Sequence, residues 1–136
     1  MRTIDLNIKL DEKVMKRIED GVDKKGAPQF KEVEMSSADV AVSWISVMVE
    51  RALNKPTLDP RSGRQVPTIA VNMSVQRQYG KLMDALEAHV DGIVNIEDDL
   101  FVFLDRKYHQ AEISVQREIN VVLNRIDDAI VKAKIA

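Results

Sequence analysis

Residues 75–108 read VQRQYGKLMDALEAHVDGIVNIEDDLFVFLDRKY, and this stretch decides the fold class. Val75, Tyr79, Leu82, Met83, Leu86 and Val90 recur at helical spacing, while Gln76, Lys81, Asp84 and Glu87 take the opposite side. An apolar stripe of that kind is stable only when it is buried against another element. The C-terminal segment is the expected partner. Asn72 or Ser74 caps this helix and Asp91-Gly92 ends it. Ile93, Val94 and Ile96 follow as a brief extended link. Asn95, with Asp98 three residues on, reads as the N-cap and first turn of a further helix over about residues 97–109. The run 100–104 is apolar enough for a buried strand, but acids before it and Arg106-Lys107 after it match helix polarity.

Towards the C-terminus, Val115, Ile119, Val122, Leu123, Ile126, Ala129, Ile130 and Ala133 form the longest stripe, with Lys132 and Lys134 at its end. A stripe of that length exceeds what a small domain covers, so the outer face of this helix is expected to meet a partner or a second copy. Towards the N-terminus, no residue between Asp39 and Glu50 is charged, and Val40, Ala41, Val42, Trp44, Ile45, Val47, Met48 and Val49 cover nearly the whole cylinder. Ser36 or Ser37 caps this central helix, Asp39 suits its first turn, and it runs to about Leu53. Its β-branched content also admits a strand, so the helix depends on burial.

Ile4, Leu6, Ile8 and Leu10 alternate with Asp5, Asn7 and Lys9, the period of a strand with one face on a core. Val14, Ile18 and Val22, spaced by four after Asp11 and before Gly26 and Pro28, predict a short exposed helix. Residues 30–35 are expected to pair with the first strand. Residues 55–72 lose periodicity, carry Pro56, Pro60, Gly63 and Pro67, and read as one long basic loop with a turn at Asp59-Pro60-Arg61-Ser62-Gly63 and a short strand over 68–71. The sum is an α+β domain spanning 1–136, with four to five helices and a small N-terminal antiparallel sheet.

With 45% hydrophobic and 31% charged residues, 5 Gly and 4 Pro, the composition is that of one ordered domain. Absence of cysteine removes disulfides and thiolate metal sites, and fits a cytoplasmic location. No secretory signal or membrane-length apolar window is present, so no membrane association is expected. The net charge of −2 conceals a polarised chain. Arg51, Lys55, Arg61, Arg64, Arg77 and Lys81 face only Glu50 and Asp59 over residues 50–81, whereas 82–105 holds Asp84, Glu87, Asp91, Glu97, Asp98, Asp99 and Asp105 without Lys or Arg. Segments of opposite sign either stay solvated or orient a partner. The candidate partner-binding residues are therefore Arg51, Lys55, Arg61, Arg64, Arg77 and Lys81 on the basic side and Glu97, Asp98 and Asp99 on the acidic side. Arg61 and Arg64 are expected to meet an acidic surface such as 97–99 of another copy.

No catalytic residues and no cofactor are assigned. Gly-x-Ser-x-Gly, a phosphate-binding glycine loop, His-Glu-x-x-His and a cysteine nucleophile are all missing. His89 and His109 have no acid at a recognisable ligand spacing, and Asp91 with 97–99 departs from the calcium loop because Ile93 falls where an oxygen ligand is required. No metal site is assigned either. Trp44, Phe101, Phe103 and Tyr108 sit on the most apolar segments and read as core. The basic 51–81 region supports nucleic-acid binding as the alternative, against a 4% aromatic content and an acidic total.

The order Arg51-Ala52-Leu53-Asn54, linker, Tyr79-Gly80-Lys81-Leu82-Met83, Ile96-Glu97-Asp98-Asp99-Leu100 and Val122-Leu123 resembles the layout of short accessory proteins of tailed bacteriophages over about residues 30–130. That resemblance implies a protein that works by binding, in particle assembly or against a host factor, and it carries no catalytic residues. Residues 1–29 lie outside it. The expected function is a non-enzymatic interaction or assembly module that self-associates or holds another protein.

Overall fold

The uncharged run after Asp39 is the centre of the molecule. In the computed structural model, which describes residues 1–53, 56–58, 60–67, 72–113 and 117–135, the elements follow in a simple order. They are β1 (Arg2–Asp5), β2 (Met15–Val22), β3 (Pro28–Glu34), α1 (Ser37–Leu53), β4 (Pro56–Leu58), β5 (Gln65–Pro67), α2 (Met73–Glu87), β6 (Ile93–Ile96), α3 (Asp98–Gln110) and α4 (Arg117–Ile135). Ser36 Oγ accepts a hydrogen bond from Asp39 N at 3.2 Å, supplying the α1 cap that the sequence called for. Ala38, Val40, Ala41, Val42, Ile45, Met48, Val49 and Ala52 are buried along α1, which explains why so many β-branched residues tolerate a helix. Burial of each large side chain stabilises by roughly 1.5–3 kcal/mol, more than the propensity penalty.

β1, α2, β6, α3 and α4 close over α1 and form one core. Leu82 and Leu86 of α2, Phe101, Phe103, Leu104 and Tyr108 of α3, and Leu123, Ile126, Ile130 and Ala133 of α4 join Ile4, Leu6, Val94 and Ile96 in it. The chain is a small α+β domain with four helices among the described residues.

Among the described residues, three two-stranded antiparallel sheets accompany the helices. β1 pairs with β6 in the register Arg2↔Ile96, Ile4↔Val94, Asp5↔Ile93. Ile4, Val94 and Ile96 point inwards while Ile93 and Asn95 face out, the alternation expected of a half-buried ribbon. α4 packs on β1. A tight turn feeds β6: Val90 and Ile93 exchange backbone hydrogen bonds of 3.1 and 3.0 Å around Asp91 and Gly92, whose φ angles are 52° and 81°. Two successive left-handed residues make the mirror-image turn that suits a right-twisted hairpin, and Asp-Gly is a favoured pair for it.

Several sequence expectations are corrected. Residues 15–22 form a strand, not an exposed helix. Val14, Ile18 and Val22 are all even-numbered, so a spacing of four fits one face of a strand as well as a helix turn, and the antiparallel ladder to residues 28–34 decides for the strand. Residues 28–34 pair with β2, not with β1, whose partner is the stretch 93–96 read as a mere link. The α2 stripe packs mainly on α1, α3 and β6, not on the C-terminal helix. α2 ends at Glu87, and Asp91-Gly92 belong to the turn beyond it. Asn95 does not cap α3. It lies in β6 and accepts a hydrogen bond from Thr3 Oγ1 at 2.8 Å, while Glu97 takes the cap position without a side-chain bond. Within the supposed 55–72 loop, β4 and β5 form a hairpin. The expected strand at 68–71, Lys55 and Val115 lie outside the described residues.

Candidate interaction surfaces

β2 and β3 build a ribbon that stands off the helical body. Met15↔Glu34, Lys16↔Val33, Arg17↔Glu32, Ile18↔Lys31 and Glu19↔Phe30 are opposite one another, with a register shift between Glu19 and Val22. Asp23 organises the turn, its Oδ1 accepting from Lys25 N at 2.8 Å and Ala27 N at 2.9 Å. The parity of the ladder sorts the side chains. Val14, Ile18, Val33 and Met35, each half-buried, share one face, while Met15, Arg17, Glu19, Phe30, Glu32 and Glu34 share the other, which is open to solvent. On that open face the Arg17 guanidinium lies 4.4 Å from the centre of the Phe30 ring. Phe30 is 49% exposed, an unusual position for the largest apolar group on the ribbon.

The second hairpin carries two of the expected basic residues. β4 and β5 pair as Pro56↔Pro67, Thr57↔Val66 and Leu58↔Gln65, leaving Arg61 and Arg64 exposed in the intervening turn, where Gly63 has a φ of 67°. Arg51 is exposed in the last turn of α1, and Arg77 and Lys81 are exposed one helical turn apart on α2. Tyr79 links these helices: its hydroxyl donates to Glu50 Oε1 at 2.6 Å and lies 3.2 Å from Ser46 Oγ. Burial and the Glu50 carboxylate raise the Tyr79 pKa, which keeps the phenol a donor. The described basic residues thus lie on α1, in the β4–β5 turn and on α2.

Of the acidic candidates, Glu97, Asp98 and Asp99 are all exposed at the start of α3, and Asp98 Oδ1 also lies 3.3 Å from the Met1 amino group and 3.9 Å from Arg2 Nε. Arg2 also donates from Nη1 to Ala133 O at 2.9 Å and Lys134 O at 2.8 Å, and its guanidinium lies 5.2 Å from the centre of the Phe101 ring. Arg2 therefore ties the start of β1 to the end of α4, with Asp98 as an exposed neighbour of its guanidinium. Asp99 lines a cleft of about 510 Å³ with Val75, Gln78, Val102, Arg106 and Lys107. A second open cleft, about 460 Å³, runs between β1 and α4 past Asp5, Lys9, Arg125, Asp128 and Lys132.

Both histidines meet carboxylates, contacts that the sequence reading did not anticipate. His89 Nε2 is 2.9 Å from Asp39 Oδ1, and its Nδ1 accepts from Gly92 N at 3.2 Å, a pattern that fits the neutral ring. That hydrogen bond lowers the Asp39 pKa despite the opposing effect of burial. His109 Nε2 is 2.6 Å from Asp127 Oδ1 and Nδ1 is 2.7 Å from Asp105 O, so both nitrogens face acceptors. Asp39 and Asp127 lie far along the chain from their histidines, and no local spacing signals either pair. Among the described residues no group of three or more His, Asp or Glu is placed to share a metal ion. No described helix is long and apolar enough to cross a membrane. No protein-family model, no curated protein and no solved structure matches this chain.

Proposed function

We propose that this chain is a non-enzymatic interaction and assembly module, an accessory protein of the tailed-phage kind that works in particle assembly or by holding a host factor. The observation that carries the reading is the β2–β3 ribbon, which projects from a well-packed body with Phe30 and Met15 exposed on one face. An isolated two-stranded ribbon is marginal in water, so a chain that keeps one gains most when another surface covers it. The exposed Arg61 and Arg64 turn and the outer side of α4 are further contact regions, with acidic 97–99 of another copy as one destination for the arginines. Its place of action is the host cytoplasm or the virion. Sedimentation velocity over a concentration range, with affinity capture from the native host and reconstitution with the purified captured protein, tests the reading. Self-association or saturable binding is expected. A chain that stays monomeric and reconstitutes with nothing it captures defeats it.

A second reading, a nucleic-acid-binding regulator using the basic 51–81 region, is favoured by one feature. Two arginines at the turn of a projecting hairpin match the way β-ribbons enter a groove. A gel shift at low and high salt decides it, since phosphate-driven binding weakens steeply with salt. No retardation at low salt removes this reading.

A further inference from the structure

The sequence of β2 contains Lys16-Arg17-Ile18-Glu19-Asp20, two cations and two anions arranged about a single isoleucine. All four charged side chains are exposed. β2 is hydrogen-bonded to β3 along one edge only, and among the described residues no third strand takes the other. An unpaired edge presents backbone donors and acceptors ready for another strand. From this we infer that the free edge of β2 pairs antiparallel with the free edge of β2 in a second copy, about a two-fold axis through Ile18.

The charge pattern selects this occupant and this register. Antiparallel pairing through Ile18 puts Lys16 opposite the second copy's Asp20 and Arg17 opposite its Glu19, and the same two pairs recur by symmetry. Every charged residue of the segment therefore faces its opposite. A parallel arrangement in register would set each charge against its like, and directly opposed like charges destabilise a ladder. The two-fold suits either class of antiparallel residue pair, so it places no demand on which groups of Ile18 point outwards. The irregularity between Glu19 and Val22 takes in Asp20 and Gly21, whose φ is 77°, so the strand bends at the end of the paired segment and the new ladder closes on the Lys16–Asp20 pairs.

Pairing preserves face parity. The Met15, Arg17 and Phe30 faces of both copies would become one continuous side of a four-stranded sheet, enough strands for independent stability where two are marginal. Two contacts compete with the new pairs: Lys31 Nζ to Asp20 Oδ1 at 3.8 Å, and Arg17 over Phe30. At exposed sites each is weak and yields to a closer partner.

This inference rests on the assembly reading and names the surface that serves it. The test uses three charge variants of the full chain: Lys16→Glu with Arg17→Glu, Glu19→Lys with Asp20→Lys, and all four together. Sedimentation velocity reads association, and circular dichroism checks that each variant keeps its helices. The parent and the fourfold variant are expected to dimerise. Each twofold variant is expected to associate at least about tenfold more weakly, because four attractive cross-strand pairs become repulsive. An equimolar mixture of the two twofold variants is expected to form a heterodimer. Twofold variants that associate as tightly as the parent overturn the β2 pairing and leave the assembly reading standing. A parent that is monomeric at every concentration also overturns it, and the assembly reading then rests on capture and reconstitution alone.

Discussion

His109 Nε2 lies 2.6 Å from Asp127 Oδ1 and fastens the end of α3 to the middle of α4. Burial, the largest single influence, pulls the His109 pKa down. The Asp105 carbonyl, the Asp127 carboxylate and the negative charge of both aspartates together outweigh it, and the pKa is raised. Lys134 Nζ also reaches Asp105 Oδ2, at 3.4 Å. A raised folded-state value means that the imidazolium contributes stability in full below the unfolded value of about 6.5 and loses it as pH climbs through the folded value. The urea midpoint of the parent should therefore exceed that of His109→Gln at about pH 5, and the gap should narrow towards about pH 9. A gap independent of pH would show that the ring acts by packing alone.

Tyr108 donates its hydroxyl to Leu123 O at 2.7 Å from a buried position, and burial raises its pKa strongly. Tyr108→Phe keeps the ring and removes this one bond between α3 and α4. A loss of about 1 kcal/mol in denaturant unfolding is expected, the usual net worth of such a bond. An unchanged midpoint would mean that Leu123 O is satisfied without the phenol.

Gly92 combines a φ of 81° with crowding: a Cβ there would land on the Asn7 carboxamide. That carboxamide is fixed by Nδ2 donating to Asp91 O at 2.7 Å and to Asp5 Oδ1 at 3.0 Å. Gly92→Ala should destabilise by about 1–3 kcal/mol through strain and displacement of Asn7. Gly26→Ala shares the positive φ but meets open space, so its smaller thermal shift is the internal comparison.

Arg2→Gln removes the guanidinium that closes the carbonyls of Ala133 and Lys134. Hydrogen exchange in the last turn of α4 should quicken, with a global loss of about 1 kcal/mol. Exchange that stays at the parent rate would show that this helix end needs no outside donor.

The four described helices were legible because their apolar residues recur at 3.6-residue spacing, and polar caps mark the starts of two of them, Ser36 for α1 and Asn72 for α2, where Asn72 Oδ1 accepts from Val75 N at 2.9 Å. The β2 segment was not, since Val14, Ile18 and Val22 satisfy both periods at once. Nor was the β1–β6 pairing, because Ile4 and Val94 meet across most of the chain and neither carries a local sign of the other. Among the candidate contact residues, the Arg61 and Arg64 turn was readable from its Pro and Gly. The engagement of Asp98 with Arg2 was not, for the same long-range reason.

That long-range pairing has a consequence for synthesis. In the nascent chain β1 is made well before β6, the strand that completes its ribbon, and α4, the helix that covers it. The β2–β3 hairpin has its pairing partner within neighbouring sequence, while the apolar side of β1 waits for β6 and α4. Chaperone dependence during translation should therefore track Ile4 and Leu6.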